Sequence, residues 1–197
     1  MIKNWQLKKE ISKPAEKNLA DYPLFLRKLL WGRGITKAEE ADLHLNPSYE
    51  RDLFDPLLML GMKKAVARIA GAIKAEEKIV VFADYDADGV PGAVILWSFF
   101  KEISYKNFEI YIPDRNEEAY GLNKNSIEKF AQDGAKLIIT VDCGITSADE
   151  VVLAEKLGVE VVITDHHLAQ AKIPKAVAVV DNKQSKDDYP FKMLCGA

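Results

Sequence analysis

The chain has 197 residues, with 48% hydrophobic and 29% charged content, eleven glycines and eight prolines. That balance, without repeats or low-complexity tracts, excludes a disordered or solenoid chain and allows one domain or two small ones. The net charge of −3 divides unevenly: residues 1–78 carry 15 Lys/Arg against 11 Asp/Glu, and residues 79–197 carry 12 against 19. No basic stripe of the nucleic-acid-binding kind stands out, but a site holding divalent cations would reverse the local sign.

"MIKNWQLKKEIS" lacks a signal peptide's apolar core, and no apolar stretch approaches the ~18 residues of a membrane span. Cys143 and Cys195 form neither a disulfide framework nor a metal-type pair, so a reducing cytoplasm is the expected compartment. From about residue 19 to 75 the apolar spacing is helical, in "LADYPLFLRKLLWGRGI", "TKAEEADLHL" and "MKKAVARIAGAIKA". Thr36 with Glu39 reads as a capping box, and "NPSYERDLFDP" as an irregular connector. His44 is expected at the surface, and Trp5, Trp31 and Trp97 in packing roles.

After Lys78 the pattern changes to short β-branched runs: "KIVVFA" (78–83), "FEIYIP" (108–113), "KLIITV" (136–141), "VEVVIT" (159–164) and "AVAVVD" (176–181). Helical stretches lie between them near 91–104, 123–133 and 146–157. Continuous apolar strands alternating with helices predict a doubly wound α/β domain. Its sheet is five-stranded and mainly parallel, over 78–197, preceded by a small helical region over 1–77.

In such a sheet ligands bind beyond the carboxyl ends of the strands. There the sequence places Asp84, Asp86 and Asp88, then Asp114, Arg115 and Glu117, then Asp142 in "VDCGIT", then Asp165, His166 and His167 in "TDHH". Acids and histidines converging on one rim make an oxygen-rich site with imidazole, suited to Mn²⁺ or Mg²⁺. The like charges of the aspartate triplet are then offset by cations. A calcium loop starting at Asp84 is excluded, since its twelfth position is Ile95 rather than Glu. Asp114 alone is also compatible with a turn former. Cys143 reads as a packed residue, because Asp142 beside it would raise its pKa. No dinucleotide, P-loop or nucleophile-elbow motif is present.

"DYDADGVPG", "PDRNEEAYGLN", "VDCGIT" and "TDHH" resemble, in order, the motifs of the DHH phosphoesterase superfamily, and most closely its RecJ-type single-strand exonucleases. The likeness extends to "YPFKMLCGA" and, more weakly, to the preceding helical region. Pro91 stands where the family usually has a small hydroxyl residue, Ala119 where it usually has Gly, and Phe82 where many relatives have His. The resemblance implies a metal-dependent hydrolase that degrades single-stranded DNA from the 5′ end, in repair and recombination, with other repair proteins as further partners. A small-substrate phosphoesterase and a non-catalytic scaffold are the alternatives.

For the site, the resemblance implies two ions of Mn²⁺ or Mg²⁺ bridged by Asp142. Asp84 and Asp86 would serve one, Asp88 and His166 the other, with His167 facing the scissile phosphate or orienting its neighbours. Arg115 suits bidentate contact with a phosphate, with an ion pair to Glu117 or Glu118 as its alternative role. Helix starts after Gly89–Gly92 and Gly144 would add backbone N–H donors. RecJ-like proteins also continue past this point with a further acid and a second domain. The chain is therefore expected to be a fragment that binds one metal, holds DNA weakly and is slow or inactive as a nuclease on its own.

Overall fold

A computed structural model describes residues 10–118 and 121–196. Trp5, Ala119 and Ala197 lie outside the described residues. The chain divides into two compact units, Met1–Leu53 and Phe54–Ala197.

Among the described residues the first unit contains four short helices: α1 (Lys13–Asn18), α2 (Leu24–Gly32), α3 (Ala38–Leu45) and α4 (Tyr49–Asp52). Leu19 at the end of α1, Leu30 of α2 and Ala41 of α3 form its buried core, to which α4 adds no buried residue. The helical pattern from residue 19 is interrupted at Pro23, whose fixed φ makes it the cap of α2 instead of a continuation. The unpredicted α1 is capped by the Ser12 hydroxyl, which accepts from the Ala15 N–H. The capping box also shifts. Because α3 begins at Ala38, Glu40 occupies its third position and reaches back to the Thr36 N–H at 3.1 Å, in place of Glu39. Within the expected irregular connector, α4 forms, with Asp52 accepting the Ser48 N–H at 2.7 Å. His44 is exposed as expected.

The second unit opens with α5 (Met62–Lys74) and then alternates β1 (Lys78–Ala83), α6 (Gly89–Glu102), β2 (Phe108–Tyr111), α7 (Lys124–Gln132), β3 (Ala135–Val141), α8 (Ala148–Lys156), β4 (Glu160–Thr164) and β5 (Ala178–Val180). All four strand pairings are parallel, in the order β2-β1-β3-β4-β5. The two faces divide by residue parity, as the strand period of two requires. Ile79, Val81, Ala83, Leu137 and Ile139 pack against Ala65 and Ala72 of α5 and Phe100 of α6. Val80, Phe82, Ile138 and Val161 pack against Ile127 and Phe130 of α7 and Val151 of α8. α5 packs on this sheet and belongs to the same compact unit, Phe54–Ala197.

Trp97 departs from its expected packing role. α6 turns Gly92, Ala93 and Phe100 to the core, and Trp97 falls on the other side, 46% exposed, with the Lys101 ammonium 5.6 Å from its ring centre. Trp31 is half-buried. No helix among the described residues is long and apolar enough to cross a membrane.

The strand order sets the position of the site. From β1 the chain crosses to β2 on one side, then returns to β3 on the other, so the carboxyl ends of β1 and β3 flank a topological switch point. Asp84 follows β1 and Asp142 follows β3 at that crevice.

Candidate metal centre

At the end of β1 the Asp84 N–H continues the ladder by donating to the Val141 carbonyl, which leaves the side chain on the rim, 4% exposed. Asp86 closes the turn into α6, its Oδ1 accepting from the N–H groups of Asp88 (2.8 Å) and Gly89 (3.1 Å). Gly89 is required by this turn. A Cβ there would overlap the Asp84 carbonyl oxygen and lie 2.7 Å from its carbon. Pro91 sits in the first turn of α6, where a missing N–H costs nothing.

At the end of β3, Asp142 adopts a left-handed backbone, φ +61°, which Asp tolerates better than most residues. Its N–H donates to the Thr164 carbonyl at 3.0 Å, and the residue is 1% exposed. Past β4, Asp165 organises the histidines. Its carboxylate accepts from the His166 N–H (2.7 Å), the His167 N–H (3.1 Å), the His167 Nδ1 (2.7 Å) and the Ile145 N–H (2.8 Å).

These turns bring two groups together. Ligand atoms of Asp84, Asp86 and Asp142 lie within 4.8 Å of one another, and so do those of Asp142, His166 and His167. Asp142 belongs to both. His166 Nε2 is 2.9 Å from Asp142 Oδ1 and 3.6 Å from Asp88 Oδ2, so Asp88 stands at the edge of the second group. Among the described residues Asp84 Oδ1 is buried without a hydrogen-bond partner, a position that a cation would satisfy. A donor set of carboxylate oxygens and imidazole fits Mn²⁺ or Mg²⁺.

The electrostatics fit the same reading. Burial, then the adjacent Asp86 carboxylate, push Asp142 up to about 6. Burial likewise raises Asp84, with the Asp86 charge adding to it. Asp86 is held below its ordinary range by the Gly89 and Asp88 N–H groups. For His167, burial opposes the charged form, but the hydrogen bond and charge of Asp165 outweigh it and hold the imidazole above its usual range.

Arg115 is carried by the loop after β2, its guanidinium carbon 5.5 Å from the ring centre of Tyr85, the residue between Asp84 and Asp86. Glu118 is not its partner. That carboxylate already accepts from the Tyr111 hydroxyl, the Asp114 N–H, the Asn123 amide and the Ser126 hydroxyl. Among the described residues no ion pair of Arg115 is formed with Glu117 or Glu118. Asp114 proves to be the turn former, accepting the Asn116 N–H at 2.8 Å.

Gly144 precedes a turn closed by the Ser147 N–H on its carbonyl, and α8 starts only at Ala148. With the Ile145 N–H taken by Asp165, this turn offers less to an anion than the sequence suggested. Cys143 is buried, and burial, ahead of Asp165, Asp84 and Asp142, raises its thiol well above the ordinary range.

Sequence reasoning missed Asp181, which follows β5 and is fully buried near Asp165 and His166. The signal was the one that marked Asp84 and Asp142, an acid ending an apolar run. The approach of the Gly196 N–H to within 3.4 Å of Asp88 Oδ2 was not anticipated either, although the resemblance had extended to that segment.

Residues 78–197 match the model of the DHH family, N-terminal domain. The chain is 42% identical over 168 residues to the single-stranded-DNA-specific exonuclease RecJ of Bacillus subtilis (strain 168), covering 85% of this chain and 21% of that protein. It is 31% identical to RecJ of Escherichia coli (strain K12), covering 90% of this chain and 30% of that protein. It thus spans about a fifth to a third of the length of these curated relatives.

Two solved structures are similar. The exonuclease RecJ bound to manganese has a TM-score of 0.62 and 32% identity, over 68% of this chain and 34% of that one. RecJ from Thermus thermophilus in complex with Mn²⁺ has a TM-score of 0.65 and 25% identity, over 93% and 25%. The sheet order, the two groups meeting at Asp142 and the family match over 78–197 lead to one conclusion: the chain belongs to the DHH family.

Proposed function

We propose that this chain carries the metal-dependent centre of a hydrolase that cleaves phosphodiester bonds of single-stranded DNA, working 5′→3′ in repair and recombination in the cytoplasm. The observation that carries the reading is the pair of ligand groups sharing Asp142 at the switch point. The naming of the relatives as single-stranded-DNA-specific exonucleases supports the substrate class. Asp84, Asp86 and Asp142 would hold one divalent ion, and Asp142, His166 and Asp88 the other. When bound, such ions supply Lewis-acid stabilisation of phosphate charge and lower the pKa of water.

The chain's own residues do the rest. The Asp142 backbone aims its carboxylate into both groups. Asp165 holds the His167 ring through Nδ1, so the opposite nitrogen is the one presented to a phosphate oxygen. Arg115, beside Tyr85 and the metal rim, orients a non-bridging phosphate oxygen pair through its planar fork.

The test uses a 5′-labelled single strand. Labelled mononucleotide should be released with Mn²⁺, and release should fall by at least a hundredfold in Asp142→Ala, whose Mn²⁺ affinity measured by calorimetry should fall with it. A 3′-labelled strand should release its label late. Release that ignores chelation, or survives in Asp142→Ala, would sink the reading.

A further inference from the structure

Residues 187–196 follow β5 without regular structure, yet they are firmly tied. The buried Asp187 carboxylate accepts from the Leu60 N–H (2.7 Å), the Tyr189 N–H (2.9 Å) and the Lys192 ammonium (2.8 Å). The Asn182 amide donates to the Phe191 carbonyl at 2.9 Å. From these anchors the chain runs onto the metal rim. The Leu194 carbonyl lies 3.1 Å from His166 Nδ1, and the Gly196 N–H lies 3.4 Å from Asp88 Oδ2.

A carbonyl can only accept, so the Leu194 contact requires the proton on Nδ1 and leaves Nε2 as the metal-facing nitrogen. That nitrogen is the one 2.9 Å from Asp142 Oδ1. At Gly196 the constraint is steric. A Cβ there would overlap Asp142 Oδ1 and lie 2.6 Å from its Cγ and 2.8 Å from its Cβ. Asp142 is buried, so the carboxylate has little room to swing aside.

We propose that the backbone of residues 194–196 forms a wall of the metal centre, with Leu194 and Gly196 as positioning residues. The Leu194 carbonyl fixes the ring of His166, and the absent side chain at 196 leaves the Asp142 carboxylate its place between the two groups. Partners of this kind, one shell behind the ligands, change metal affinity by about 10- to 100-fold when lost. The inference rests on the metal-binding reading above.

The experiment compares the chain with Gly196→Ala and Met193→Ala, the second altering an exposed neighbour on the same segment. Mn²⁺ binding is followed by calorimetry, bound Mn²⁺ by pulsed EPR, and metal-free stability by thermal denaturation in chelator. Gly196→Ala should lower the metal-free melting temperature only slightly, because the irregular segment can draw back from the rim, and should lose Mn²⁺ affinity tenfold or more, with weakened histidine-nitrogen modulation in the EPR signal. Met193→Ala should match the parent in all three. A parent that takes up no Mn²⁺ would remove the metal reading and this inference together. A parent that binds, beside a Gly196→Ala chain that binds equally, would overturn the inference alone. So would failure of metal-free Gly196→Ala to fold, which would assign the glycine to the fold.

Discussion

Asp142 and Asp181 end neighbouring parts of the same rim, and their surroundings separate what each can do. Asp142 turns through a left-handed backbone into two groups of ligand atoms, so its burial is matched to a cation. Asp181 is fully buried; its Oδ1 accepts the Lys183 N–H at 2.7 Å, while Oδ2 has no hydrogen-bond partner among the described residues. Burial therefore raises the Asp181 carboxyl above its ordinary range, with the Asp165 charge adding to it. An acid whose folded pKa is raised weakens the fold where it must be charged, and that deficit closes as pH falls through the raised value. Asp181→Asn keeps an oxygen for the Lys183 N–H and carries no charge. In chelator at pH 7 it should melt higher than the parent, and the difference should shrink steadily as the solution is acidified toward pH 4. A difference that stays constant with pH would show that the charge of Asp181 is not what costs stability.

At the scale of elements, β1 appears at the residues expected, because a continuous apolar run buried on both faces leaves little choice of register. The rim acids were legible for the same reason: a residue that follows such a run is forced to its carboxyl end. The loop between β2 and α7 was not legible in this way, since its order comes from side-chain contacts to one carboxylate that follow neither a strand nor a helix period. Glu118 looks like one of two adjacent surface acids, Glu117 and Glu118, yet it ties the end of β2, the Asp114 turn and the start of α7 to one carboxylate. The first-unit helices misled for another reason, since apolar spacing ran through Pro23 while the backbone could not. Removing the Glu118 carboxylate leaves several donors seeking partners, at about 1–3 kcal/mol for each that stays buried. Glu118→Ala should therefore lower unfolding stability in urea by about 2 kcal/mol. Its Mn²⁺ affinity should stay close to the parent's, because the loop supplies no ligand. Unchanged stability would mean that solvent replaces Glu118 without loss.

Over the whole molecule the net charge of −3 conceals that residues 79–197 carry seven more acids than bases, and that acids are drawn together at one crevice. A parallel sheet with a switch point gathers strand ends whatever they carry; here it gathers like charges, which oppose folding until something of opposite sign binds. The native state alone assembles both groups, since Asp84, Asp142 and His166 follow three different strands. A cation that binds the folded chain and not the unfolded one adds RT ln(1 + [L]/Kd), about 2.7 kcal/mol at a hundredfold excess over Kd. The melting temperature should therefore rise with Mn²⁺ in a concentration-dependent way and return to its starting value in chelator. Mg²⁺ should act in the same direction, and Na⁺ at matched ionic strength should not reproduce the effect, which separates site binding from general screening. In Asp142→Ala, where both groups lose their common member, most of the Mn²⁺ increment should vanish. An equal rise in parent and variant would place the stabilising ions elsewhere on the surface, and no rise in the parent at millimolar Mn²⁺ would show that the crevice is not a preformed cation site.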